Sequence, residues 1–261
     1  MRNSITVDGV SLSTYGVYCN GNATFGSPHK EYTLYDVPNR DGSVVGVQKR
    51  LQNIEVSYDC FIFKDFSDNM RKLRSFLLSR NGYVEISDTY DTTHYRKGIF
   101  EGPIEPEVRP SLDAGQFTLT FNCLPQRWLN SGKTWVNSDL DPEILEVNNP
   151  TLFTAKPIIK FSGFSADFNA MVYGNENDTP SVAIHVDAST YQGNVLFLDS
   201  ESHKCYNEGG VNVSKYVTLI DGSAPSVLGV DFPLLSDGDS YIEISSGAVT
   251  QISVLPRWWE V

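Results

Sequence analysis

Few residues in this sequence have the types and spacing that nucleophilic catalysis requires. Such chemistry needs a serine or cysteine fixed on a tight turn, with a histidine within hydrogen-bonding reach. No Gly-x-Ser-x-Gly motif occurs, although this motif is the usual sign of a serine nucleophile on a strand-to-helix turn. The histidines occur in unrelated contexts, at His29, His94, His185 and His203. The sequence therefore does not predict an enzyme with a serine or cysteine nucleophile.

Paired carboxylates are a second chemical possibility, since glycoside hydrolysis uses two acids that face one sugar. Acids cluster at Glu101, Glu105 and Glu107. Pro103 and Pro106 interrupt this cluster, and prolines placed in this way are typical of a loop or a sheet edge. We therefore interpret the cluster as structural.

Metal and phosphate sites are not indicated either. The segment 236–240 (SDGDS) has two acids around a glycine but lacks the other ligands of a calcium loop, and no glycine-rich phosphate motif is present. The cysteines show no Cys-x-x-Cys spacing and are expected to be reduced and mostly buried: Cys19, Cys60, Cys123 and Cys205. We predict no cofactor.

Aromatic side chains in the second half of the chain are candidates for glycan contact. Sugar rings stack on aromatic faces, and the candidates are Trp135, Tyr191, Trp258 and Trp259. Trp258 and Trp259 directly follow Pro256 near the end of the chain. For these two residues we favour packing, either within the chain or against a partner subunit, and glycan contact is the alternative.

A charged pair occupies a turn between two predicted strands. The segment 37–46 (VPNRDGSVVG) follows KEYTLYDV and precedes the alternating NIEVSYDCFIF. Hairpin geometry requires an Asp-Gly or Asn-Gly turn but no arginine. We therefore take Pro38, Arg40, Asp41 and Gly42 as candidates for a subunit interface. The alternative is that Arg40 and Asp41 pair with each other and stiffen the turn.

Strands must position nearly all of these residues, because short β-rich runs bounded by turn formers fill the 261-residue sequence. One helix is predicted in DFSDNMRKLRSFLLSRNG, with Met70, Leu73, Phe76 and Leu77 on one face and a left-handed stop at Asn81-Gly82. Its basic face is either solvated or a contact for an acidic protein. Turn formers accumulate near Ser131, so we predict domains at 1–131 and 132–261, the second an antiparallel sandwich or jelly roll without a helix.

Charge is distributed unevenly between these two domains. The net charge of the chain is −12; residues 1–131 hold 14 Lys and Arg against 15 Asp and Glu, whereas residues 132–261 hold 6 against 17. The acidic second half is expected to repel nucleic acid and anionic membranes. No apolar run approaches the length that spans a bilayer, so a membrane location is not predicted.

An ordered set of motifs resembles one known family. ITVDGVSLSTYGV is followed by VPNRDGS, similar to a VPGRDG signature, and then by KRLQNIEVSYDCFI, the single helix, FNCLPQRW, NPT with KPIIKFSG, and a closing PRWWEV. This order resembles the distal tail proteins (Dit) of long-tailed phages with flexible tails, over the whole chain. Asn39 departs from the signature glycine, but asparagine tolerates a left-handed backbone.

The resemblance implies a virion protein of the tail tip, made in the host cytoplasm. It implies a hexameric ring formed by an N-terminal split β-barrel domain related to tail-tube proteins, with a galectin-like C-terminal sandwich. The implied partners are the tail tube protein, a tail-associated hub protein, and a receptor-binding protein or cell-wall carbohydrate. The alternatives are a carbohydrate-binding adhesin and a hydrolase of cell-wall polymer.

Overall fold

The computed structural model describes residues 3–20, 26–46, 50–138, 144–174, 180–221, 231–247 and 249–261. The chain divides into two compact units, Met1–Trp128 with Val261 and Leu129–Glu260. Along the chain, the boundary between the units therefore follows Trp128, whereas the sequence analysis placed it near Ser131. The predicted mainly β fold class is confirmed.

The elements of the first unit are short strands and one α-helix. They are β1 (Ile5–Val7), β2 (Val10–Ser11), β3 (Val17–Cys19), β4 (Thr33–Asp36), β5 (Ser43–Gly46), β6 (Ile54–Ile62), α1 (Phe66–Leu78), β7 (Val84–Asp88), β8 (His94–Phe100), β9 (Glu107–Arg109), β10 (Ala114–Cys123) and β11 (Arg127–Leu129), which ends at the border. Short 3-10 helices span Leu12–Tyr15 and Pro110–Leu112.

Seven strands of the first unit form one curled antiparallel sheet, in the order β2-β1-β7-β8-β10-β6-β3, and β9 pairs with β10. An isolated bridge between Asn3 and Cys19 brings the chain before β1 back to β3. The sheet therefore curls towards closure, and its buried side chains share one core with α1. β4 and β5 form a separate two-stranded sheet.

Helix α1 packs on this core through Phe66, Met70, Leu73 and Leu77, which are buried. The N–H of Phe66 donates to the Asp113 carboxylate at 3.3 Å, so the helix start is capped by another segment. The proposed stop at Asn81-Gly82 is wrong, because α1 already ends at Leu78. Gly82, at a φ of 75°, instead turns the chain towards β7.

The second unit is built from strands and one very short α-helix. They are β12 (Val136–Asn137), β13 (Ile144–Asn149), β14 (Ile158–Ser162), β15 (Phe168–Gly174), β16 (Val182–Val186), α2 (Ala188–Tyr191), β17 (Val195–Asp199), β18 (Lys204–Tyr206), β19 (Val217–Asp221), β20 (Gly238–Ser246), β21 (Gln251–Leu255) and β22 (Trp259–Glu260). Short 3-10 helices span Asn130–Lys133 and Ser214–Tyr216.

Two antiparallel five-stranded sheets make this unit a β-sandwich, as the alternation predicted. Their orders are β12-β21-β14-β17-β18 and β13-β20-β15-β16-β19, and both contribute to one buried cluster. The expectation of no helix was wrong, because α2 covers four residues, too few to produce a helical period in the sequence. The galectin-like assignment stays a prediction.

Candidate functional site

The charged turn of the sequence lies at the tip of the β4–β5 hairpin. Leu34 faces Val45 and Tyr35 faces Val44 in an antiparallel register. Asn39 and Gly42 have φ values of 63° and 76°, in the left-handed region that Asn and Gly tolerate best. The departure of Asn39 from glycine therefore leaves the turn intact.

The β4–β5 hairpin exposes apolar side chains that would usually be buried. Five of them leave between 42% and 61% of their surface exposed: Tyr32, Leu34, Tyr35, Val37 and Val45. Nothing in β4 or β5 is buried. An isolated two-stranded hairpin is marginally stable in water, and clustered exposed apolar groups mark interaction surfaces. The hairpin therefore presents an apolar surface that no described part of the chain covers.

Both charged residues at the tip are exposed, and they do not pair with each other. Within the part of the chain that the structure describes, no ion pair or side-chain hydrogen bond involves Arg40 or Asp41. The tip is held instead by Ser43, whose hydroxyl donates to Asp36 at 2.7 Å, and by the N–H of Arg40, which donates to the Val37 carbonyl at 3.2 Å. The charges of Arg40 and Asp41 are therefore available to a partner.

The sequence analysis missed the apolar residues of the hairpin as functional candidates. It interpreted KEYTLYDV as an ordinary strand. Leu34 and Tyr35 are adjacent and point to opposite faces, so a strand with apolar groups on both faces was already visible. What the sequence did not reveal is that no third strand pairs with this hairpin in the described residues.

The structure separates the four aromatic candidates for glycan contact. Trp258 belongs to the core of the second unit with 5% of its surface exposed, so its ring presents no face to a sugar. Trp259 stacks on Phe153 at 4.4 Å between ring centroids and donates its indole N–H to the Thr154 carbonyl at 3.0 Å. The packing interpretation accounts for both residues.

Tyr191 and Trp135 differ in how much of the side chain is held by contacts within the chain. Tyr191 is the last residue of α2, and its hydroxyl donates to the Val195 carbonyl at 2.7 Å. Trp135 is 36% exposed and meets Phe197 edge to face at 6.3 Å. Glycan contact therefore stays a prediction chiefly for Trp135.

Trp135 adjoins a row of side chains that the sequence analysis did not single out. Lys160, Phe197 and Tyr206 are register partners across β14, β17 and β18. Phe197 and Tyr206 stack at 5.2 Å with an angle of 8° between the rings, and the Lys160 ammonium lies 5.4 Å from the Phe197 ring. Their strand neighbours point into the core, so this aromatic row lies on the outer face of the sheet.

In one polar cluster of the first unit, the charged side chains are paired with one another. The Asp91 carboxylate accepts hydrogen bonds from the backbone N–H and hydroxyl of Thr93, from the His94 ring at 2.7 Å and from Arg127. Burial raises the pKa of Asp91, but the hydrogen bonds from Thr93 and His94 and the charge of Arg127 outweigh it and lower the pKa to about 2. Asp91 is therefore a fixed anion that orders this part of the chain.

The other chemical candidates do not converge on a site. His185 on β16 forms a hydrogen bond at 2.7 Å with Asn169, its register partner on β15. Glu101 and Glu105 lie outside strands, and Glu107 begins the exposed strand β9, where it accepts from Gln116 at 2.7 Å. Among the described residues, no group of three or more metal-ligating side chains is found, and none of the helices there has the length and apolarity to cross a bilayer.

The fold of this chain is similar to those of phage distal tail and baseplate structures. The resemblance that the sequence predicts is therefore confirmed at the level of the fold. No protein-family model and no curated protein sequence matches the chain.

The Dit protein of phage SPP1, described as a paradigm of the hub adsorption apparatus in phages that infect Gram-positive bacteria, superposes with a TM-score of 0.70. The two chains are 16% identical, and the match covers 97% of this chain and 98% of that one. Chains of the phage p2 baseplate in its activated conformation match with TM-scores of 0.51 (strontium form) and 0.52 (calcium form). They are 8% and 9% identical, with 97% of this chain and 96% of theirs covered.

Proposed function

We propose that this chain is a structural virion protein that forms a ring at the distal end of a phage tail. The ring joins the tail tube to the hub that adsorbs to the host. The observation that carries this proposal is the exposed apolar β4–β5 hairpin on a fold shared with the Dit protein.

A ring with cyclic symmetry requires head-to-tail contacts between two different surfaces of neighbouring copies. A hairpin that projects apolar side chains supplies one of these surfaces. The exposed charges of Arg40 and Asp41 add direction to the contact, because like charges placed opposite them would be disfavoured. Pro38 and Gly42 fix the shape of the tip.

The distribution of charge supports the same arrangement. Residues 1–131 are nearly neutral, so neighbouring copies can approach closely through them. Residues 132–261 carry a net charge of −11 in each copy, and repulsion favours an assembly that keeps them apart. Six copies per ring is the number that the resemblance to Dit implies.

The proposed partners are a tail tube protein on one ring face and a hub protein on the other, with a receptor-binding protein attached further out. The protein is made in the bacterial cytoplasm and ends in the virion. The proposal includes no catalysis, cofactor, nucleic acid or membrane contact.

Light scattering coupled to size-exclusion chromatography tests the ring directly. We expect the full chain to elute as a closed species of several copies, with a central opening in negative-stain images. The Leu34→Asp variant places a charge in the hairpin, so we expect it to stay monomeric. The control is Leu152→Asp, since Leu152 is 88% exposed but lies in the second unit. A monomeric wild type, or equal effects of both variants, would count against the proposal.

The aromatic row favours a second candidate function, contact with cell-wall carbohydrate. The stacked rings of Phe197 and Tyr206, with Trp135 edge to face against Phe197, give one sheet face an aromatic surface of the kind that sugar binding uses. Glycan-array binding by the full chain that is lost in Trp135→Ala would support an adhesin. Binding that persists in this variant, or no binding by the wild type, would remove this candidate.

A further inference from the structure

Arg96 is a buried cation in the middle of β8. Only 6% of its surface is exposed, and its register partner in β7 is Ile86. Its NH1 nitrogen is buried without a hydrogen-bond partner in the part of the chain that the structure describes. A charge taken out of water without an acceptor is one of the costliest arrangements in a protein. Arg96 therefore needs a hydrogen-bond acceptor that the described residues do not supply.

The neighbouring acids do not meet this need, because other donors already occupy them. The Asp88 carboxylate accepts the Tyr58 hydroxyl at 2.9 Å and the N–H groups of Tyr90 and Asp91 at 2.9 and 3.0 Å. Asp91 is engaged by Thr93, His94 and Arg127. Among the described residues, neither acid forms an ion pair with Arg96.

Arg96 lines a small cleft together with Tyr58, Asp88, Asp91, His94 and Arg127. The cleft has a volume of about 20 Å³, which is room for one water-sized group. Burial, and next to it the like charge of Arg127, lower the pKa of Arg96. Two guanidinium groups therefore border a space that is open to solvent on one side and too small for a large ligand.

We propose that this cleft binds one compact monovalent anion, either a halide-sized ion or a single carboxylate group, with Arg96 as its main donor. A water molecule would accept the hydrogen bond of Arg96 but would add no negative charge beside the two guanidinium groups, whereas an anion supplies both. The anion comes either from solution or from an acidic side chain of a second copy. This site does not depend on the proposed ring function.

Crystals of the full chain grown in sodium bromide locate the anion through its anomalous scattering. The expected result is a bromide peak within about 3.5 Å of the Arg96 guanidinium. A carboxylate of a neighbouring copy at the same place would also support the anion site and would identify the second source. A water molecule alone, or an Arg96 side chain bonded to a carbonyl of its own chain, would overturn the proposal.

Chloride titration provides an independent test in solution. The melting temperature of the wild type is expected to rise by about 2–4 °C more than that of Arg96→Met between low and 0.5 M sodium chloride. Arg74→Met is the matched control, since it removes one exposed positive charge outside the cleft, and it is expected to follow the wild type. Parallel curves for all three proteins would contradict anion binding at Arg96.

Discussion

The β4–β5 and β15–β16 hairpins are both antiparallel strand pairs with apolar side chains, and they differ in burial. β15 and β16 bury Phe168, Ala170, Val172, Ile184 and other alternate residues, and they lie between β20 and β19. β4 and β5 bury none of their residues and form a sheet of their own.

This difference shows that the chemistry of a strand and its burial are separate properties. β-Branched and aromatic residues favour an extended backbone in both hairpins. Burial requires a second apolar layer, which the sandwich provides within the chain. We infer that the β4–β5 hairpin obtains this layer from another subunit.

Truncation of an apolar residue in each hairpin is expected to give the largest difference. Ile184 is fully buried, so Ile184→Ala should lower the free energy of unfolding by about 3 kcal/mol, through lost burial and the cavity left behind. Leu34 is 61% exposed, so Leu34→Ala should change it by less than about 0.5 kcal/mol. Urea denaturation of the unassociated chain measures both values. Equal losses would mean that the hairpin has a partner within the chain.

The comparison extends to charged groups, because the described residues pair Asp91 but provide no partner for Arg40. Asp91 has a pKa of about 2 in the folded state against an ordinary 3.8. A lowered pKa stabilises the fold fully above about pH 4, and this stabilisation is lost as the pH falls towards 2. With screening for its partial exposure, we expect about 1–2 kcal/mol.

Unfolding of Asp91→Asn as a function of pH measures this contribution. The variant is expected to be less stable than the wild type at pH 7, and the difference should shrink as the pH approaches 2. A difference that stays constant over this range would show that the charge of Asp91 contributes nothing.

Charge reversal at the hairpin tip should have the smallest effect on folding. Arg40→Glu is expected to leave the unfolding free energy within about 0.5 kcal/mol, because Arg40 is exposed and unpaired among the described residues. It should weaken association, and more so at low ionic strength. Sedimentation at two salt concentrations measures this, with Lys204→Glu, an exposed site in the second unit, as control. A ring that assembles unchanged would exclude Arg40 from the interface.

Much of the fold was predictable because local patterns determine it. The alternation in 53–63 predicted β6, and the apolar face of DFSDNMRKLRSFLLSRNG predicted α1. The end of α1 was not predictable, since Ser79 stays in a helical conformation without using the glycine at 82. The four residues of α2 are too few to produce a helical period, so the sequence did not predict this helix.

The candidate sites were less predictable, since they depend on contacts between distant parts of the chain. The turn residues Pro38, Arg40, Asp41 and Gly42 were identified from their types alone. The aromatic row of Phe197 and Tyr206 arises only when β17 and β18 pair. Whether the described residues leave Arg96 without an acceptor depends on which donors reach Asp88 and Asp91, and spacing along the chain does not contain this information.

Hydrogen exchange tests the central claim most directly, because it compares the two hairpins in one experiment. Amides of Thr33–Asp36 and Ser43–Gly46 are measured in the associated wild type and in Leu34→Asp, with β15 and β16 as internal reference. We predict that the β4–β5 amides exchange at least about tenfold more slowly in the associated species, while β15–β16 is unchanged. Equal exchange of β4–β5 in both species would contradict its role as the surface that joins one subunit to the next.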